Sequence, residues 1–287
     1  MGNHADWGGG ILAGKQRVDP PYPSPLVEGN LIQGNISEYG GGGILLFRSH
    51  AVITGNVFRG NEGKLGDGGG IDAILHAGSC EICGNEFWEN TAGDQGGAIL
   101  AATAPGAGPV LIEGNLIAEN TARGIGPDVA QVGAGGGIAT WTLNGVIRNN
   151  TIADNTALPD NMCTGGGLRI WGASTSLLIE LNIIANNMNC GVICRQDTNA
   201  IPSSNLLWEN LGGNFESCST SWNATTLSVD PDFCGRQTGD YRVAEGSPAL
   251  AGPLVIGAFS EAGCPPVATI AITWGRLKAL YGQGKEE

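Results

Sequence analysis

The chain has little charge, and basic residues are especially few. Only 14% of its 287 residues are charged, and 14 lysines and arginines stand against 27 aspartates and glutamates, which gives a formal net charge of −13. Because the backbone of DNA or RNA attracts a basic surface, we expect no nucleic-acid partner. No apolar run approaches the roughly 18 residues of a membrane-spanning helix, so we also expect no membrane span.

Two local signals are missing as well. The N-terminus has no basic start followed by an apolar stretch, so we expect no signal peptide within this chain. A glycine-rich motif is already present at Gly8, and we therefore expect a mature part or a fragment of a longer protein. The glycine-rich stretches at residues 67–70 and 133–137 lack the lysine and the serine or threonine of a phosphate-binding loop.

Glycine, by contrast, is abundant, and with asparagine it builds two interleaved repeats. The pattern Gly-Asn-x-apolar-x-x-Asn, or a close variant, begins at Gly29, Gly55, Gly84, Gly114, Asn149, Leu181 and Ser204. A Gly-Gly-Gly-apolar pattern, or a close variant, begins at Gly8, Gly41, Gly68, Gly96, Gly135 and Gly165. Two motifs that share one period within roughly 20–50 residues indicate a solenoid.

Apolar residues recur at three places in each repeat. They alternate after the glycines, as in Ile44-x-Leu46, and they stand three residues before and two residues after each first asparagine, as at Ile53 and Phe58. Alternation with period two and β-branched inward residues are typical of strands. We therefore predict an all-β chain that forms a parallel β-helix with three strands per coil and about seven coils.

Such a coil stacks equivalent residues on one another, about 4.8 Å apart. Isoleucine on isoleucine gives a dry axial core, and asparagine on asparagine gives a ladder of amide hydrogen bonds. Asparagine and glycine also tolerate the backbone of tight bends, so most of the repeat residues have a structural explanation. The predicted ladder consists of Asn30, Asn56, Asn85, Asn115, Asn150, Asn182 and Asn205.

Over about residues 8–210 the repeat resembles the right-handed parallel β-helix of pectate-lyase-like secreted proteins, and the resemblance implies the handedness. The segments 230–233, 239–243, 245–249 and 256–259 look like the block that closes many secreted bacterial β-helix proteins, and residues 273–281 are similar to their short C-terminal tail. We expect a β-helix over 1–210, a cap over 211–264 that closes its C-terminal end, and a tail over 265–287. The resemblance implies a bacterial, extracellular or cell-surface protein and no particular reaction.

Eight cysteines, most of them in the less regular C-terminal part, suit disulfides in an oxidising compartment. Cys218 with Cys234 is the best single pair, and Cys264 is a candidate to tie the tail back. Buried free thiols are an alternative. Cys80-x-x-Cys83 has the spacing of zinc ligands, but no second pair completes a zinc site.

An acidic column is the first outward feature that could carry chemistry. Glu89, Glu119 and Asp154 occupy one position in successive coils. Clustered carboxylates could bind Ca²⁺, the one cofactor that the sequence suggests, or two of them could hydrolyse a sugar. Alternatively, they splay apart in water and keep the protein soluble.

Aromatic residues form the second outward feature. Trp141 and Trp171 hold the same outward position in adjacent coils, and Arg169 precedes Trp171 by two residues. Exposed flat rings on a β surface could stack on sugars, which makes these three residues the candidate ligand site. The inserts at residues 120–135 and 155–165 could instead fold over them.

A small polar group is the third feature and a further catalytic candidate. Arg48, His50, Asp72 and His76 are predicted to lie on neighbouring coils of one face, where they could abstract a proton from a uronic acid. However, the sequence shows neither the calcium cluster and arginine of pectate lyases nor the paired aspartates and Gly-His-Gly element of β-helix glycosidases.

These observations favour a secreted or cell-surface scaffold that acts as a structural or binding module. Its expected partners are a polysaccharide or like chains that associate end to end. The alternative is a polysaccharide lyase or glycoside hydrolase that acts on an acidic polysaccharide in a groove of the β-helix. Fold alone does not decide between them.

Overall fold

A computed structural model describes residues 2–14, 20–125, 135–159, 163–172, 176–195, 199–218, 222, 226–259 and 263–264. The chain forms a right-handed parallel β-helix, in which three sheets of parallel strands run along one axis. The predicted fold class is thereby confirmed. The described part of the chain contains no helix with the length and apolar character of a membrane span.

Two of the sheets consist of short strands that stack in register. Sheet 1 has six strands, which are His4–Ala5, Ile36–Ser37, Glu62–Gly63, Thr91–Ala92, Thr121–Ala122 and Thr156–Ala157. Sheet 2 has eight strands, which are Leu31–Gln33, Val57–Arg59, Glu86–Trp88, Leu116–Ala118, Thr151–Ala153, Ile183–Ala185, Asn205–Trp208 and Thr226–Leu227.

Sheet 3 is the largest, and it contains both the strand after the glycines and the strand before the asparagine. Its thirteen strands are Ile11–Gly14, Leu26–Glu28, Ile44–Thr54, Ile71–Cys83, Ile99–Thr103, Val110–Glu113, Ile138–Trp141, Gly145–Arg148, Leu168–Trp171, Leu177–Glu180, Val192–Arg195, Ala200–Ser203 and Phe215–Glu216. In two coils the two strands merge, into Ile44–Thr54 and Ile71–Cys83. The two-residue strands of sheet 1 are a further element that the apolar pattern did not indicate.

The axial core consists of equivalent apolar residues on successive rungs. Ile44 pairs in register with Ile71, and Ile71 pairs with Ile99. In sheet 2 the Phe58 and Phe87 rings stack with their centroids 4.6 Å apart. All five side chains are fully buried, and each such burial contributes about 1.5–3 kcal/mol relative to exposure.

The predicted asparagine ladder is present. The Asn115 Oδ1 accepts hydrogen bonds from both the backbone N–H (2.9 Å) and the Nδ2 (3.1 Å) of Asn85. The Asn115 Nδ2 in turn donates to the Asn150 Oδ1 (2.9 Å) and to the Ile82 carbonyl (2.8 Å). The same pattern links each consecutive pair of Asn30, Asn56, Asn85, Asn115, Asn150, Asn182 and Asn205.

A second ladder of the same kind runs along the next corner. It uses the last asparagine of each repeat, with side-chain hydrogen bonds of 2.9–3.1 Å between neighbours. Its members are Asn35, Asn61, Asn90, Asn120, Asn155, Asn187 and Asn210. Two corners of the coil are thus fixed by buried amides whose hydrogen bonds are satisfied by their neighbours.

The C-terminal part of the chain packs at the C-terminal end of the β-helix and also along the outer face of sheet 2. The Trp222 side chain is fully buried and joins the axial core with Phe215, which places it at the C-terminal end of the coil. The hairpin of Phe233–Gly235 and Asp240–Val243 and the 3-10 helices Arg236–Thr238 and Pro248–Leu250 then follow. This later part packs laterally on the outer face of sheet 2, against residues such as Leu116, Ala118, Ala153, Ile183, Ala185 and Leu206.

The predicted Cys218–Cys234 disulfide is wrong. Cys218 is bonded to Cys194, and Cys234 is bonded to Cys264. The reason is the register of the coils, because Val192–Arg195 pairs with Phe215–Glu216 and thereby brings Cys194 within 4.8 Å of Cys218, Cα to Cα. A third disulfide joins Cys163 to Cys190.

Cys80 and Cys83 are free thiols. Cys80 is buried in the axial core, and burial raises its pKa to about 12. Burial also raises the pKa of Cys83, to about 11. Both thiols are therefore protonated at neutral pH, which disfavours metal binding and nucleophilic chemistry.

Removal of one amide should destabilise the protein strongly in the middle of the asparagine ladder and only weakly at its first rung. The substitution Asn115→Ala leaves buried donors and acceptors unpaired, and we expect it to lower the free energy of unfolding by about 4 kcal/mol. Asn30→Ala is the control, because Asn30 is exposed on the first rung; it should cost less than about 1 kcal/mol. If urea unfolding shows that both substitutions lower the free energy of unfolding equally, the buried amides are not what stabilises the coil.

The disulfide pairing can be read directly from peptides. Digestion without reduction, followed by mass spectrometry, should yield one cross-linked peptide pair with Cys194 and Cys218 and another with Cys234 and Cys264. A pair that joins Cys218 to Cys234 would show that the C-terminal coils have a different register.

Candidate ligand-binding site

The site begins with two tryptophans at the ends of neighbouring strands of sheet 3. Trp141 and Trp171 pair in register, so their backbones lie one rung apart. The Trp141 residue is 37% exposed, and Trp171 is half-buried. The structure thus places both rings on the outer face at the same position, as the sequence predicts.

Arg169 lies on the same face but is buried. Its Nη1 donates a 2.6 Å hydrogen bond to the Gln95 Oε1, and its guanidinium carbon is 4.1 Å from the centroid of the Trp171 ring. Burial lowers the pKa of Arg169 to about 10, so the side chain still carries its charge at neutral pH. A planar guanidinium suits this combination of stacking and hydrogen bonding better than a lysine would.

Gln95 is the centre of the site, and the sequence reasoning missed it. Its Oε1 also accepts from the Trp141 Nε1 (3.1 Å), while its Nε2 donates to the Asp94 Oδ2 (3.4 Å). Its backbone N–H donates to the Asp67 Oδ1 (3.0 Å). The only available signal was position, because Asp67 and Gln95 each stand directly before a glycine of the repeated turn.

Two carboxyl groups, those of Asp67 and Asp94, contact this glutamine, and the charge of Asp67 acts in turn on a third, that of Asp72. Burial and the neighbouring Asp94 raise the pKa of Asp67 to about 7. Burial, followed by the charge of Asp67, raises the pKa of Asp72 well above its ordinary value. Asp72 is only 2% exposed, and its Oδ1 has no hydrogen-bond partner among the described residues. Buried carboxyls with raised pKa values are common at functional sites.

The predicted group of Arg48, His50, Asp72 and His76 does not assemble as one site. Asp72 is buried in register with Leu45, whereas His76 lies four residues farther along the same strand, about 13 Å away, and is exposed. The exposed His50 instead shares a 3.1 Å hydrogen bond with the Ser79 Oγ. Asp72 therefore lies with Asp67 and apart from His76, so the four residues do not form one compact group.

The acidic column occupies a turn of the coil. Glu89, Glu119 and Asp154 all have left-handed backbone with φ of 55–61°, at the position that glycine holds in earlier coils. Glu89 pairs with Arg59 at 3.2 Å, and Asp154 accepts hydrogen bonds from Arg236 and from Tyr241. Within the described ranges, no group of three or more His, Cys, Asp or Glu side chains is arranged to hold a metal ion.

Comparison with family models, with curated proteins and with solved structures returns no match for this chain. A function for this chain therefore has to be inferred from the geometry of Trp141, Trp171, Arg169, Gln95 and the adjacent carboxyls. We call these residues, namely Asp67, Asp72, Asp94, Gln95, Trp141, Arg169 and Trp171, the tryptophan–aspartate site.

The raised pKa of Asp67 makes stability depend on pH. An acid whose folded pKa exceeds its unfolded value stabilises the fold while protonated, and that contribution is lost as pH rises from about 4 towards 7. We expect the free energy of unfolding to fall across this window, and to fall less in Asp67→Asn, which retains an acceptor for the Gln95 N–H. Identical pH profiles of the two proteins in urea unfolding would contradict the assignment.

Proposed function

We propose that the chain is a carbohydrate-binding scaffold of the pectate-lyase-like type, secreted from or displayed on a bacterial cell. Three disulfides suit an oxidising compartment, which is compatible with an extracellular location. The scaffold is rigid because each rung is held by its neighbours along the ladders. Rigidity matters for binding, since a platform that is already ordered loses little entropy when a ligand docks.

The observation that carries the proposal is the register of Trp141 and Trp171 on adjacent rungs. Flat rings with one exposed face can stack on the apolar face of a sugar ring. The Trp141 indole is held in place by its hydrogen bond to Gln95, and Trp171 is held by the guanidinium of Arg169. Polar groups beside the rings could bind the sugar hydroxyls, which is the usual composition of a ligand site.

Removal of the exposed Trp141 ring tests whether the protein binds carbohydrate at this platform. Titration with a panel of neutral, cationic and anionic oligosaccharides, followed by calorimetry, should identify at least one ligand. Trp141→Ala should then weaken its binding by about 30-fold, because a stacking surface worth about 2 kcal/mol is lost.

Trp7→Ala is the matched control, because Trp7 is also exposed but lies on the first coil, where its ring contacts Tyr39. It should leave the affinity unchanged. An equal loss in both variants, or no loss in Trp141→Ala, would rule out this platform as the binding surface.

A glycoside hydrolase is the second candidate, favoured by the carboxyls. A general acid must hold a proton at working pH, and the pKa of Asp67, raised to about 7 by burial and by Asp94, meets that condition. Retaining or inverting hydrolysis needs a second carboxylate nearby, for which Asp94 is the candidate.

The two functions differ in their products. Under the hydrolase hypothesis, incubation with the bound oligosaccharide releases new reducing ends, and Asp67→Asn abolishes that release. Under the binding-scaffold proposal, the oligosaccharide is recovered intact after prolonged incubation, with and without Ca²⁺, and no unsaturated products form.

A further inference from the structure

We infer that two copies of this chain pack side by side, with their axes antiparallel, through the outer face of the sheet 3 strands that precede each asparagine corner. The inference goes beyond the proposed function and does not depend on carbohydrate binding, because its residues are not members of the tryptophan–aspartate site. It also differs from end-to-end association, since the contact lies along the β-helix and not at its ends.

A column of aliphatic side chains runs along this face. On the strand Val110–Glu113, Val110 and Ile112 are fully buried in the core, whereas Leu111 between them points outward and is half-buried. The residues in register with Leu111 on the other rungs point outward as well. From the first rung to the last, the seven residues that we call the aliphatic column are Leu26, Val52, Glu81, Leu111, Val146, Leu178 and Ile201.

The other outer faces of the β-helix are covered, polar or already assigned. The C-terminal part of the chain packs on the outer face of sheet 2. On the first strands of sheet 3, outward residues such as Leu45 and Leu100 are fully buried, and Trp141 and Trp171 belong to the proposed sugar platform. Sheet 1 presents mainly polar residues such as Thr91. In the described part of the chain, the aliphatic column is therefore the long apolar strip that remains open.

The aliphatic column is long enough and exposed enough to be an interaction surface. Its rungs are about 4.8 Å apart, so that its seven members span about 29 Å. The end members Leu26 and Ile201 are 63% and 58% exposed, and the aliphatic members between them are half-buried by their own neighbours in the column. A contiguous apolar strip with polar columns on both sides is typical of a protein interface.

The aliphatic column is complementary to a second copy of itself. A two-fold axis that passes through Leu111 along the strand direction reverses the order of the seven rungs. Leu111 then faces Leu111 of the second copy, Leu26 faces Ile201, and Val52 faces Leu178. Such an isologous contact closes after two copies, so it yields a dimer and not a filament.

Glu81, the charged member of the column, favours the antiparallel orientation. In that orientation Glu81 faces Val146 of the second copy, and Arg148 lies on the same outer face about 6.6 Å farther along that strand. The Arg148 guanidinium donates to Glu113 at 2.8 and 3.1 Å, yet the side chain is 41% exposed and can also donate to an incoming carboxylate. In a parallel orientation Glu81 would face Glu81, and two like charges would repel each other.

The size of the face predicts a weak dimer. Columns of outward residues that include Ser79 on one side and Arg148 on the other flank the aliphatic column. With neighbouring columns about 6.6 Å apart, the face measures about 30 Å by 20 Å. Two such faces bury about 1,200 Å² in total, which is the lower end of the range for specific interfaces. Because the net charge of −13 also opposes association, we expect a dissociation constant in the micromolar range.

Sedimentation of the full chain as a function of its concentration tests the inference. At about 0.15 M salt, which screens most of the repulsion between copies, the sedimentation coefficient should rise from that of a monomer to that of a dimer. Leu111→Glu places two carboxylates against each other on the two-fold axis and should weaken the dimer at least about tenfold. A chain that stays monomeric at about 200 μM, well above a micromolar dissociation constant, would overturn the inference.

A matched pair of exposed leucines separates the face from the added charge. Leu26 and Leu31 are 63% and 64% exposed on the same coil, but Leu31 lies on sheet 2, beyond the Asn30 corner. Leu26→Glu should weaken the dimer about threefold or more, because a carboxylate then faces Ile201, whereas Leu31→Glu should leave it unchanged. Thermal unfolding establishes that each variant is folded. Equal weakening by both variants would show that net charge, and not the aliphatic column, controls association, and the inference would be wrong.

Disulfide cross-linking tests the orientation. Leu111→Cys should give a covalent dimer on mild oxidation, because this residue faces itself across the two-fold axis. Leu26→Cys should not cross-link to itself, since the two copies of that residue lie about 29 Å apart, but it should cross-link to Ile201→Cys when the two variants are mixed. The unsubstituted chain, which retains the free thiols Cys80 and Cys83, is the control and should remain uncross-linked.

The outcomes are distinguishable from those of the carbohydrate experiments. If Leu26→Cys cross-links to itself as efficiently as Leu111→Cys, the copies are parallel and the inference is wrong. If Leu111→Glu abolishes the dimer while the oligosaccharide affinity is unchanged, both the dimer and the separate sugar platform are supported. If the chain is monomeric and Leu111→Glu lowers only its thermal stability, another segment of the same chain covers the column, and the inference fails without any consequence for the proposed function.

Discussion

The structure depends on the satisfaction of buried amides by identical amides one rung away. Each ladder asparagine is paired along the axis, so a rung can close its corner without water. This constraint fixes the register, and the register in turn aligns the isoleucine columns of the core. It also explains why irregular sequence is confined to outward positions and inserts, where no neighbour imposes a residue type.

The tryptophan–aspartate site follows from that division. Trp141, Arg169 and Trp171 point away from the axis, so the ladders and the core do not require them. The backbone positions of these three residues are nevertheless well defined, because the strands that carry them pair in register with their neighbours. The site therefore places polar residues that are unfavourable to bury on a backbone that the ladders already stabilise. This combination is the reason for which we propose a binding function.

The sequence predicts those parts of the structure that repeat. Stacked Ile44 and Ile71, the asparagine ladder and the register of Trp141 with Trp171 all follow from period and spacing. The pairing of Cys194 with Cys218 does not, because it depends on how the last irregular coils stack. Gln95 was missed for a related reason. Its contacts with Trp141 and Arg169 join residues 46 and 74 positions apart, and the position before the repeated glycines holds a different residue in each coil.

The most direct measurement is a crystal structure of the protein soaked with the oligosaccharide from the panel that binds it most tightly. We predict a sugar ring stacked on the indole of Trp141, with sugar hydroxyls hydrogen-bonded to the polar side chains beside that ring. Density for the oligosaccharide on another face, or a Trp141 ring covered by the protein itself, would contradict this prediction.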